Sequence, residues 1–168
     1  KYAVNAEQIT LGNGSNDLLE LIARAFVSRE HEVMFAQHAF VVYPLVTQAI
    51  GATAVVVAAK DYGHDLDAMV DAITEKTKLI FIANPNNPTG TFLEQDALKS
   101  FLKKVPSDVL VVLDEAYFEY ATVSRRGNAI AWISEFPNLI VSRTFSKAYG
   151  LAGLRVGYTI SHPEIADI

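Results

Sequence analysis

The sequence has no cysteine, which removes disulfide staples, thiolate zinc sites and cysteine nucleophiles together. Its four histidines are scattered without ligand spacing, so no metal centre is expected. Basic residues are the minority: 14 Lys and Arg stand against 19 Asp and Glu, a net charge of −5 that disfavours a nucleic-acid partner. No apolar run approaches the roughly 18 residues of a membrane span, and Lys1 leads into a globular pattern rather than a signal-peptide core. A soluble protein is expected, with the cytosol as the compartment that fits best. What is abundant is apolar surface: 51% of the 168 residues, enough for one domain that buries roughly 70% of its unfolded surface.

Short β-branched runs alternate with helical patterns, the signature of an α/β fold in which helices cover both faces of a mostly parallel sheet. Strands are expected over 32–35, 53–58, 79–83, 109–113, 139–142 and 156–160, and helices over 43–50, 66–73 and 93–102. A further helix starts near Asn16, where Leu18, Leu21, Ile22, Ala25 and Phe26 take helical spacing after the turn Gly12-Asn13-Gly14. The stretch from Tyr2 to Leu11 reads as a brief lead-in to that helix, and Pro163-Glu164 as a helix just begun.

In open parallel sheets, ligands bind beyond the carboxyl ends of the strands. Asn84-Pro85-Asn86-Asn87-Pro88-Thr89-Gly90, Asp114-Glu115-Ala116-Tyr117 and Ser142-Arg143-Thr144-Phe145-Ser146-Lys147 each follow a strand, while Gly14-Ser15-Asn16 stands at a helix N-terminus suited to an anion. Singly, these read as turns, a cap and a surface lysine. A P-loop is missing, Gly12-x-Gly14 lacks the third glycine of a dinucleotide fingerprint, and Thr144-x-x-Lys147 lacks the serine of a Ser-Lys hydrolase. Jointly, an anion cradle, a carboxylate, an amide, a phenol and a lysine are the parts that hold pyridoxal phosphate. The lysine forms a Schiff base, and the carboxylate keeps the pyridine nitrogen protonated so that the ring accepts electrons.

Asn87-Pro88-Thr89-Gly90, Asp114-Glu115-Ala116-Tyr117 and the run from Ser146-Lys147 through Leu151-Ala152-Gly153-Leu154-Arg155-Val156-Gly157 together resemble the fold-type I aminotransferases. Within that group, Gly12-Asn13-Gly14-Ser15-Asn16-Asp17 and Pro85-Asn86-Asn87-Pro88-Thr89-Gly90 are most similar to histidinol-phosphate aminotransferases. The resemblance implies a three-layer α/β/α large domain over 1–168, without the family's N-terminal arm and smaller C-terminal domain. It also implies that Lys147 is the Schiff-base lysine, that Asp114 partners the pyridine nitrogen, and that Asn87 and Tyr117 bind the oxygen of the ring hydroxyl. The phosphate cup then combines Ser15, Asn16, Thr144, Ser146 and Arg155. Phe40 falls where the family stacks an aromatic ring on the pyridine; many members have tyrosine there. Asn16 departs likewise from the family's aspartate.

The implied reaction is ping-pong transamination of histidinol phosphate with 2-oxoglutarate, in histidine biosynthesis, by a homodimer. The alternatives are an aromatic-amino-acid transaminase, a threonine-phosphate decarboxylase relative, or a non-catalytic cofactor-binding domain. Core or interface packing is expected for Tyr43, and a solvated loop for Arg125 and Arg126. Glu115 should point away from the site if the strand continues past Asp114, and Arg155 keeps a structural ion-pair role as its other reading.

Overall fold

A computed structural model describes residues 2–168. Its seven-stranded sheet is built from β1 (Ile9–Asn13), β2 (Glu32–Ala36), β3 (Thr53–Val57), β4 (Thr77–Ala83), β5 (Leu110–Asp114), β6 (Leu139–Thr144) and β7 (Val156–Ile160), in the order β1-β7-β6-β5-β4-β2-β3. From β3 to β6, neighbouring strands are parallel, whereas β7 runs antiparallel to both β6 and β1. The helices are α1 (Ser15–Phe26), α2 (Val42–Ile50), α3 (Leu66–Asp71), α4 (Gln95–Leu102) and α5 (Pro163–Ala166).

Successive side chains of a strand point to opposite faces, and because these strands are covered twice both sets are apolar. Leu79 and Phe81 of β4, Val112 of β5 and Ile140 of β6 join Leu19, Ile22 and Ala23 of α1 and Tyr43 and Val46 of α2 in one core. Ile80, Ile82, Val111, Leu113, Leu139 and Val141 point the other way, onto Met69 of α3 and Leu98, Phe101 and Leu102 of α4. The result is a three-layer α/β/α arrangement. On α1 the polar face is kept in water, where Arg24 pairs with Glu20 one turn away at 2.7 Å.

The expected strands and helices are present with ends shifted by a few residues, save that β1 replaces the lead-in expected before the first helix. Its residues Gly12 and Asn13 are paired with Gly157 and Val156 rather than lying in a turn. The helix begins at Ser15, and its N-cap, Gly14, offers no side-chain acceptor. The carboxylate of Asp17 reaches back to accept from the Asn13 amide at 3.0 Å.

Candidate functional site

The carboxyl ends of β4, β5 and β6 lie along one edge of the sheet. The reversal of β7 brings its amino end to that same edge, beside the end of β1. A cavity of about 130 Å³ opens there. All ten residues expected at a cofactor site line it: Ser15, Asn16, Phe40, Asn87, Asp114, Tyr117, Thr144, Ser146, Lys147 and Arg155. Tyr43, Ala83, Pro85 and Ala116 complete the wall.

Period-two alternation decides which carboxylate enters. Asp114 follows Val112 onto the face of α1 and α2, whereas Glu115 lies on the opposite side in a buried ion pair with Arg143. Arg143 Nε donates to Glu115 Oε2 at 2.7 Å, and its guanidinium carbon lies 3.7 Å from the Phe118 ring centroid. Asp114 is buried, and among the described residues no such cation is bonded to it. Oδ2 accepts from the Tyr43 hydroxyl at 2.9 Å, and Oδ1 from the Ala116 amide at 3.1 Å. Burial pushes the Asp114 carboxyl above its ordinary value, opposed by these two donors and by the charge of Lys147.

Tyr43 is the residue whose place in the site was not expected. Its ring packs in the core, stacked on Phe81 at 4.5 Å between centroids, but its hydroxyl reaches Asp114 and lines the cavity. The only signal for it is general: a buried tyrosine O–H requires an acceptor, without saying which.

The loop after β4 divides its three asparagines. Asn84 donates to the Leu93 carbonyl at 3.0 Å and accepts from the Leu93 amide at 2.8 Å, while Asn86 donates to the His38 carbonyl at 2.9 Å and to Thr89 Oγ1 at 2.8 Å. These bonds tie the loop down, and Asn87 is left on the cavity wall. Across from it, Lys147 Nζ lies 5.4 Å from the ring centroid of Tyr117.

The anion end is built from backbone. The first N–H groups of a helix have no intrahelical acceptors, and Ser15 and Asn16 present them at the start of α1. Arg155 stands over this end, its Nη2 donating to the Asn13 carbonyl at 3.1 Å and its Nη1 to the Ala152 carbonyl at 3.2 Å. Among the described residues no carboxylate pairs with it, so the ion-pair reading of Arg155 is set aside. Its φ of 53° is left-handed, a conformation that persists mainly where surrounding structure enforces it. A Cβ on Gly14 would lie 2.3 Å from Arg155 Nη2, so glycine is what lets the guanidinium close over the helix end. Thr144 Oγ1 accepts from the Ser146 amide at 3.1 Å and shapes the adjoining turn.

Arg125 and Arg126 lie exposed in a loop, as expected, and each also has surface partners. Arg125 pairs with Glu94 and covers the Phe92 ring at 4.4 Å, and Arg126 donates to the Ala121 carbonyl at 2.8 Å. A wider cleft of about 640 Å³ runs from Arg125, Thr122 and Tyr120 to Tyr117 and Asn87, which it shares with the first cavity.

These features agree with what the chain resembles. It is 68% identical over 165 residues to histidinol-phosphate aminotransferase 1 of Idiomarina loihiensis, covering 98% of this chain and 45% of that protein. It is 62% identical over 168 residues to histidinol-phosphate aminotransferase 2 of Ralstonia nicotianae, covering all of this chain and 45% of that protein. The crystal structure of histidinol-phosphate aminotransferase from Sinorhizobium meliloti in complex with pyridoxal-5'-phosphate superposes with a TM-score of 0.93 at 34% identity, over 99% of this chain and 45% of that one. The chain therefore spans somewhat under half the length of these relatives. The model of the family described as aminotransferase class I and II matches residues 1–168. Matched from end to end by that model and folded like its solved relatives, the chain belongs to the class I and II aminotransferases.

Proposed function

We propose that this chain is the cofactor-binding large domain of a pyridoxal-phosphate-dependent transaminase, acting on histidinol phosphate with 2-oxoglutarate as amino acceptor. The observation that carries the reading is the convergence, on one cavity, of an amine, a buried carboxylate without a cation partner, and a helix N-terminus overlain by an arginine. Pyridoxal phosphate fits that donor set from end to end. Its phosphate matches the free N–H groups of α1 with Ser15, Asn16, Thr144, Ser146 and Arg155. A protonated ring nitrogen supplies the positive charge that buried Asp114 lacks. The substrate specificity, the histidine-biosynthetic role, a homodimer and a cytoplasmic setting follow the relatives' names and family, and are part of the proposal.

When bound, the cofactor supplies an electron sink for the carbanion formed at the substrate's α-carbon. This chain's residues do the rest. Lys147 would hold the cofactor through its amine and would carry a proton to and from the reacting carbon as general base and acid. Asp114, as an anion, would keep the ring nitrogen protonated, Asn87 and Tyr117 would fix the ring-hydroxyl oxygen, and Phe40 would cover a ring face. The wider cleft gives the substrate's remaining length room beside Tyr117 and Asn87.

Titrating the protein with pyridoxal phosphate should give the absorbance band of a lysine-bound cofactor. Lys147→Ala should abolish it, with loss of at least 1,000-fold in transamination on the usual scale of a removed covalent catalyst. A band that survives the substitution would remove Lys147 from its role. Conversion of the loaded enzyme to its amine form by L-histidinol phosphate, faster than by aromatic amino acids, tests the substrate.

A further inference from the structure

We infer that Tyr43 is a positioning residue for Asp114, its hydroxyl holding that carboxylate as an anion aimed at the protonated nitrogen of the cofactor ring. The inference rests on the proposed function, and three observations carry it. The first is the bond itself, 2.9 Å from Tyr43 Oη to Asp114 Oδ2, with the Ala116 amide on the other oxygen. Two donors on two oxygens fix the plane of the carboxylate. The second is that Tyr43 has little freedom to leave. Its ring is parallel to Phe81 within 2°, Phe40 meets it edge-on at 5.8 Å, and its carbonyl accepts from the Thr47 hydroxyl at 2.8 Å. The third is chemical: a phenylalanine could make the same ring contacts, so packing alone does not call for the oxygen.

The consequence concerns one proton. Shared between Asp114 and the ring nitrogen, it can lie on the nitrogen, leaving a charged pair, or on the carboxylate, leaving a neutral pair. A donor to the carboxylate favours the charged pair, and that is the form in which the ring draws electrons. Burial of Asp114 works in the opposite direction, so the Tyr43 hydroxyl offsets a penalty that its own location imposes.

The test uses the full-length enzyme loaded with pyridoxal phosphate carrying nitrogen-15 in the ring. Tyr43→Phe keeps the ring and removes only the hydroxyl. The ring-nitrogen resonance should move toward that of unprotonated pyridine, and the cofactor dissociation constant should rise about ten-fold, about 1.4 kcal/mol. The lysine-bound absorbance band should persist, because Lys147 is untouched. Thr47→Val perturbs the same helix without approaching Asp114; it should lower the melting temperature and leave the resonance in place. An unmoved resonance in Tyr43→Phe would overturn the inference, as would an equal movement in Thr47→Val. A wild-type enzyme with no lysine-bound band would overturn the proposed function and this inference together.

Discussion

Two adjacent carboxylates show how much one residue of register decides. Asp114 and Glu115 are both buried, yet among the described residues the first meets uncharged hydrogen-bond donors and the second meets Arg143 at 2.7 Å. Period-two alternation makes that divergence readable in advance, since consecutive strand residues cannot face the same layer. The partners were less legible: neither Arg143 nor the Tyr43 hydroxyl is announced by local pattern. Helical spacing reports that Tyr43 faces inward, and nothing near it in sequence reports an acceptor 71 positions away. The buried ion pair yields a stability prediction. Burial pushes the Glu115 carboxyl up while Arg143 opposes the shift, so Arg143→Ala leaves a buried acid with its main partner gone. The loss should be about 3–5 kcal/mol in urea denaturation, with much of it recovered when Glu115→Leu is added. A loss below about 1 kcal/mol, the range of exposed pairs, would show that the pair is not needed.

Among the elements, α1 depends on a contact with β7 that only glycine permits. A Cβ on Gly157 would lie 2.4 Å from the Ser15 nitrogen and 2.6 Å from the Gly14 carbonyl carbon, both backbone atoms that cannot rotate aside. Gly157→Ala should therefore push the start of α1 off the sheet, at a cost of about 1–3 kcal/mol. Pyridoxal phosphate titration should show the affinity falling roughly ten-fold or more. Unchanged affinity would mean that the helix end does not depend on this seat. The helices and inner strands were legible because each carries its own periodicity. β1 was not, because Ile9, Thr10 and Leu11 are followed by Gly12 and Asn13, residues that signal a turn. The pairing that makes them a strand comes from β7, near the far end of the chain. Of the candidate site, the motif residues Lys147, Asp114 and Asn87 stood out by their places after strands, whereas the closeness of Arg155 to α1 depends on β7 running backwards.

For the whole molecule, one buried histidine makes folding sensitive to acid. His64, buried beside the start of α3, has its pKa lowered from 6.5 to about 4 by that burial. The unfolded chain therefore binds a proton there between pH 6.5 and about 4 that the folded chain refuses. Stability therefore drops as the pH is lowered from 6.5 to about 4, by at most about 3 kcal/mol. His64→Gln should flatten the dependence, read as the urea midpoint at pH 7 and pH 4.5; an equal slope in both proteins would remove His64 as its source. The layered architecture itself was readable from the alternation of strand and helix patterns, while the direction of β7 was not, since a strand's hydropathy is blind to its polarity. That reversed strand has one more outcome. Lys147 and Arg155 sit on the same short excursion between β6 and β7, so chain connectivity itself helps tether the lysine proposed to bind the cofactor to the arginine proposed to hold its phosphate, and breathing of the distant strands should disturb their separation little.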